Sequence, residues 1–229
     1  MESLELPIII ESKIDNMDFS NFYRLLLKKA HQKYNSLDFP MKSPEVFLNQ
    51  YLDFCKKVFN STLIYEINNL RISNKLQGNN KYERYNYFNE LLKLEDNFII
   101  KKYTEGMRLI NNYLDKSLLS ITKILNYLKK DKSSLNPSFV CENLISIEFL
   151  GDSHLYGEAV SKLNFIENSL IFKPRDLEID KSFQELLEWF NNKTDLLDFK
   201  ILNIINNKNY GWVEFIKDLP CNNQVELNN

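Results

Sequence analysis

Phe19, Phe22, Leu26, Ala30 and Tyr34 recur at steps of three and four residues. Phe47, Tyr51, Phe54 and Val58 do the same further on, so two stretches each carry an apolar stripe down one helix face. Pro40 and Pro44 separate the two. A third helix is expected through "STLIYEINNLRISNKL", stopped by Gly78 in "QGNN", and a fourth through "KYERYNYFNELLKL". The longest runs from about Glu105 to Lys130, where Leu114, Leu118, Ile121, Leu125 and Leu128 keep helical spacing until "KKDKSSLNPS" breaks the pattern.

After Pro137 the period changes. "LISIEFL" (144–150) reads as a short strand running into a loop, "GDSHLYGEA". "VSKLNFI" (160–166) alternates Leu163 and Phe165 with Lys162 and Asn164, the two-residue period of a half-buried strand, and "ENS" turns the chain into "LIFK" (170–173). Pro174, which has no N–H for a ladder, ends that strand on Lys173. Asp180 is placed as the N-cap of a helix carrying Phe183, Leu186, Leu187 and Phe190, and "KILNII" and "YGWVEFI" then flank "NNKN" as a second hairpin. The class is α+β: a helical region at 1–136, a small antiparallel sheet with one helix at 137–221, and a polar tail at 222–229.

Composition narrows the functions open to such a chain. Its 229 residues, 44% of them hydrophobic, suffice for a buried core. A net charge of −2, from 29 basic and 31 acidic residues, gives no overall field for nucleic acid or anionic membrane, and no stretch approaches a membrane span. The aromatic cluster Tyr82, Tyr85, Tyr87 and Phe88 has no basic groove beside it and reads as core or partner-facing surface. Cys55, Cys141 and Cys221 form no CxxC pair, and two histidines are too few to complete a zinc site with them. A reducing, cytoplasmic setting follows, with no metal site and no zinc. The glycosylation-like triplets at Asn60 and Asn192 carry no weight without a secretory signal.

The order strand, glycine-bearing loop, strand, strand with lysine, helix, strand, strand is that of a protein-kinase amino-terminal lobe. There a flexible loop covers ATP phosphates, a lysine on the third strand contacts them, and a helix carboxylate orients the lysine. Gly151 and Gly157 let backbone approach an anion closely, and Lys173 puts a compact positive charge on a rigid strand end. The alternative for the same residues is purely structural: Asp152 capping a turn, and Lys173 an ordinary strand-end lysine.

"GDSHLYGEAVSKLNF", followed by "LIFKPRDLEIDKSFQELLEWFN" and "YGWVEFI", resembles the dehydratase domain of class II lanthipeptide synthetases, the lantibiotic-modifying enzymes of LanM type. "STLIYEINNLRISNKLQGNNKYERYNYFNELL" is similar to that domain's helical lead-in, so the resemblance covers about residues 61–221. It implies a kinase-like enzyme that uses ATP and magnesium to phosphorylate Ser and Thr of a ribosomal precursor peptide and then eliminates the phosphate. By that resemblance Asp152, His154 and Lys173 serve the phosphorylation half, with Gly151, Ser153, Gly157, Lys173 and Arg175 around the nucleotide. Arg175 contacts phosphate or braces the loop. Glu185 and Glu188, on the following helix, are the candidates to pair with Lys173, although their positions suit a solvated face equally well.

Kinase-type catalysis also needs a second lobe, which supplies the hydroxyl-positioning aspartate and the metal ligands. No D-x-H-x-x-N-like loop follows "GWVEFIKDLPCNNQVELNN", and no cyclase zinc site is present. The expectation is therefore an amino-terminal fragment, truncated or half of a split synthetase, and catalytically incomplete alone. The alternative is a non-catalytic scaffold that binds precursor peptide or a partner subunit.

Overall fold

Helical periodicity in the first half of the chain becomes six helices in the computed structural model, which describes residues 5–217 apart from 38, 40, 42, 95, 152–158 and 195–197. They are α1 (Ile8–Asp15), α2 (Ser20–Asn35), α3 (Glu45–Ile72), α4 (Lys81–Leu91), α5 (Phe98–Lys102) and α6 (Thr104–Lys130). The second and third helices expected from the sequence are one: α3 runs unbroken for 28 residues, because no Pro or Gly interrupts it and Phe59, Leu63 and Ile67 continue its buried face. It ends at Ile72, six residues before Gly78. Gly78 sits instead in the link to α4 with φ +128, and a side chain there would meet the backbone N of Arg84 at 2.7 Å. Asn80 and Glu83 then open α4 reciprocally: the Asn80 side chain accepts from Glu83 N at 3.0 Å, and the Glu83 carboxylate accepts from Asn79 N at 2.7 Å. Within the aromatic cluster of α4, Phe88 is fully buried and Tyr85 stacks on Phe19, while Tyr82 lies exposed.

The second half alternates as expected. A short 3-10 turn (Cys141–Asn143) leads to β1 (Leu144–Leu150), β2 (Val160–Phe165), β3 (Ser169–Lys173), α7 (Glu178–Asn191), β4 (Ile204–Asn206) and β5 (Gly211–Glu214). The strands form one antiparallel sheet in the order β1-β2-β3-β5-β4. Leu163, Phe165, Leu170, Phe172 and Trp212 are buried on the face toward the helices, so Lys162, Ile171 and Lys173 point the other way.

A continuous cluster of buried apolar side chains runs from Leu6 to Trp212, crossing the change from helices to strands near residue 137. Two polar devices fix the crossing. The Gln50 carboxamide of α3 donates to Phe149 O at 2.8 Å and accepts from Phe149 N at 3.1 Å, satisfying the open edge of β1 as a neighbouring strand would. Asp131, buried at the end of α6, accepts from Trp212 Nε1 at 2.8 Å, Asn207 Nδ2 at 2.9 Å and the Tyr210 hydroxyl at 3.3 Å. Beside it Tyr127 stacks on Tyr210 with ring centroids 3.8 Å apart. Burial, and then the bond to Asp131, pushes the Tyr210 phenol up to about 12.

Within the helices the buried Glu66 of α3 accepts from Lys102 Nζ at 2.8 Å and from the Tyr103 hydroxyl. Burial pushes its carboxyl up, and those two bonds outweigh burial, leaving it below the ordinary glutamate value. A carboxyl held low in the folded state stabilises above its unfolded pKa, near 4.3, and that stabilisation is lost as the pH falls through the folded value. Glu66→Gln is therefore expected to lower the thermal midpoint at neutral pH and to flatten its fall between about pH 5 and pH 3. Circular-dichroism melts across that range check both. Asp131→Ala strands the buried Trp212 N–H, and a loss of roughly 1–3 kcal/mol is expected in urea denaturation.

Candidate functional site

β3 ends on Lys173 because Pro174 follows, and the bend through Pro174, Arg175 and Asp176 turns the chain directly into α7. Asp176 accepts from Glu178 N at 2.9 Å and from Asn206 Nδ2 at 2.8 Å, while the side-chain Oδ1 of Asn206 accepts from Leu177 N at 3.1 Å. Helix α7 thus begins two residues before Asp180, after Leu177. Asp180 is a first-turn residue and not the expected N-cap.

That placement points Asp180 back at the strand end. Lys173 Nζ donates to its Oδ1 at 2.8 Å, and the Arg175 guanidinium grips both oxygens, at 2.7 Å to Oδ2 and 3.0 Å to Oδ1. The carboxylate is mostly shielded, with 16% of its side chain exposed, whereas Arg175 is about half exposed. Burial raises the Asp180 carboxyl, and the bonds from Lys173 and Arg175 outweigh it to hold the group below the ordinary aspartate value. Two cations thus share one carboxylate, with the carboxylates of Asp176 and Glu178 close by on the Asn206 side of the bend. Among the described residues no group of three or more His, Cys, Asp or Glu is placed to hold a metal.

Glu185 and Glu188 are exposed on α7 and do not meet Lys173. At 1.5 Å per residue they lie about 7.5 and 12 Å further along the helix than Asp180. The sequence signal for the true partner was Asp180 itself, seven residues after Lys173 across a proline bend, and reading it as a cap concealed it.

The strand register brings the remaining parts of the site to the same end of the sheet. Leu150 pairs with Val160, Ser161 with Phe172, and Lys173 with Gly211, so both roots of the 151–159 loop emerge beside the Lys173 corner. Gly151 takes a left-handed φ of +81 at the first root. Asp152, Ser153, His154 and Gly157, with Leu155, Tyr156 and Glu158 between them, lie outside the described residues. Gly211 supports the corner from below: a side chain there would come within 2.4 Å of Leu177 Cδ1 and 2.6 Å of Ile205 O.

A groove of about 790 Å³ opens at the opposite end of the sheet, lined by Asn136, Asn164, Asn168, Asn203, Phe139 and Phe215 among others. Lys173 is not among its lining residues. His31, given no role by the sequence, is buried on α2 beside Asn35 at 3.1 Å, and Cys55 is buried and free. No helix among the described residues is long and apolar enough to cross a membrane.

The architecture is that of an α+β protein in which a helical region carries a five-stranded antiparallel sheet, with a lysine, an arginine and an aspartate at one corner. The family described as a domain of unknown function, DUF4135, matches residues 103–229, and the chain belongs to it. The chain is also 30% identical over 216 residues to the lacticin 481/lactococcin biosynthesis protein LcnDR2 of Lactococcus lactis subsp. lactis. That match covers 85% of this chain and 23% of the relative, so the chain spans about a quarter of the protein it matches. Both findings support the likeness to a LanM-type lanthipeptide synthetase segment that the GDSH and KPR signatures carry.

Because Gly211 leaves no room above it, Gly211→Ala is expected to displace Leu177 and the start of α7, at a cost of roughly 1–3 kcal/mol. A denaturant midpoint equal to that of the unsubstituted chain would show that the corner does not depend on this contact.

Proposed function

We propose that this chain provides the phosphate-contacting part of a kinase-like dehydratase in lanthipeptide biosynthesis. The substrate in this reading is a ribosomal precursor peptide whose Ser and Thr are phosphorylated from ATP and then lose the phosphate. The observation that carries the reading is the shared grip of Lys173 and Arg175 on Asp180, at the corner where the glycine-bearing loop is rooted. Lys173 contacts the phosphates, Asp180 orients Lys173 as a helix carboxylate does in kinases, and Arg175 braces Asp180. In this reading Gly151, Asp152, Ser153, His154 and Gly157 serve the nucleotide and the phosphorylation step, as the family resemblance implies. On the same face half-buried Ile171 is paired with buried Val213. Magnesium supplies charge neutralisation on the phosphates. Its protein ligands and the group that orients the peptide hydroxyl belong, in this reading, to another part of a synthetase or to a partner chain.

One observation favours a second reading, a scaffold that docks a partner subunit or the precursor peptide. Helix α7 has no buried residue, and Ile179, Phe183, Leu186 and Trp189 form an exposed apolar stripe along it. Precursor-peptide affinity that persists without nucleotide in a Lys173→Met variant would favour this scaffold.

Calorimetric titration with ATP and magnesium, and separately with inorganic tripolyphosphate, tests the first reading. Both are expected to bind, and Lys173→Met is expected to weaken both by about 10- to 100-fold, the worth of one charge-assisted contact. Binding that ignores Lys173→Met, or no binding at all, overturns it.

A further inference from the structure

Lys162 stands on β2 directly opposite Ile171, on the same outward face as Lys173. Its ammonium does not turn to the phosphate corner. It reaches across β3 in the other direction and sits 3.8 Å from the ring centroid of Phe215, the residue after β5. Glu148 of β1 stands opposite it in register, yet no ion pair joins it to a carboxylate among the described residues. A lysine stem and an aromatic ring therefore bridge the outer face over the stretch of β3 that leads away from Lys173.

The spacing gives this bridge a meaning. Ile171 lies two residues from Lys173, and Phe215 follows Glu214, which pairs with Leu170. At about 3.3 Å per residue the bridge covers the sheet from about 7 to 13 Å away from the Lys173 corner. A nucleotide whose phosphates are held at Lys173 extends its sugar and base over that stretch. The Phe215 ring is the aromatic surface there, and the Lys162 ammonium already occupies its face. Base stacking on an aromatic ring is stronger than a cation–π contact at an open site, so an arriving base displaces the ammonium.

We propose that Phe215 is the stacking surface for the nucleotide base and that Lys162, seated on its ring, is an internal competitor that sets base affinity. This rests on the phosphate reading of Lys173 and adds to it the residues that weigh base against phosphate. In the unliganded chain the base position is closed by Lys162, and tight binding requires both the phosphate contact and release of the lysine from the ring.

The test is the ratio of ATP affinity to inorganic tripolyphosphate affinity in the full chain, measured by calorimetry. The ratio cancels the loss of a positive charge, which affects both ligands. Lys162→Met is expected to raise the ratio by about 2- to 30-fold, the range spanned by releasing one cation–π contact. Lys162→Arg, which stacks at least as well as lysine, is expected to leave the ratio unchanged or lower it, and Phe215→Leu is expected to lower it. Lys162 is exposed enough for the first two variants to fold, and a circular-dichroism melt verifies the third. If tripolyphosphate binds in a Lys173-dependent way but Lys162→Met leaves the ratio unchanged or reduces it, the competitor role is wrong and the phosphate reading stands. If neither ligand binds, both are wrong.

Discussion

Asp131 is the residue on which the arrangement turns. A carboxylate removed from water is costly unless donors surround it, and the side-chain donors that meet this one come from the β4–β5 hairpin and its flank: Asn207, Tyr210 and Trp212. The end of α6 and the hairpin therefore specify one another, and the stack of Tyr127 on Tyr210 closes the contact with apolar area. β5 pairs with β3, so the same junction sets where Lys173 stands relative to the helices. Gln50 performs the corresponding task at the other side of the sheet, holding β1 two residues before the loop begins.

With the sheet held on its inner face, the Lys173 corner stands at its rim, while Leu177 and Val213 are buried on the outer face. The corner is rigid for an identifiable reason: Asn206, Asp176, Leu177 and Gly211 interlock around the bend, so Asp180 can reach Lys173 in only one way. Its charge count matters as much as its geometry. One shielded carboxylate faces two cations beside the roots of a glycine-bearing loop, and the further carboxylates of Asp176 and Glu178 are occupied by Asn206. Helix α7 contrasts with this corner. It is pinned at its first turn and exposed along an apolar stripe beyond it, in a chain that spans about a quarter of its relative's length. An element so placed presents apolar surface to whatever packs beside the corner.

Much of this was legible in the residues. The two-residue alternation of Leu163 and Phe165, or of Leu170 and Phe172, reports burial on one face only, and the strands fall within a residue or two of the expected places except β4, which begins four residues into "KILNII". α6 was equally plain, since its apolar spacing persists over seven turns. α3 was expected as two helices, although no helix breaker separates them. The helix carrying Phe183, Leu186, Leu187 and Phe190 is present as α7, and its spacing left open what covers the apolar face. The same spacing describes an apolar face that is exposed, because periodicity shows that a face is apolar and not what covers it.

The sequence by itself determined the class of fold, the order of elements from β1 to β5, and the lysine at the end of β3, because local periodicity and a proline stop are properties of neighbouring residues. Only the tertiary structure decided which carboxylate meets that lysine, that Asp131 ties α6 to the sheet, and that Lys162 lies on Phe215. Those contacts join residues that are far apart in the chain or separated by a bend. Their distances follow from how elements pack and register, which no single segment's pattern contains.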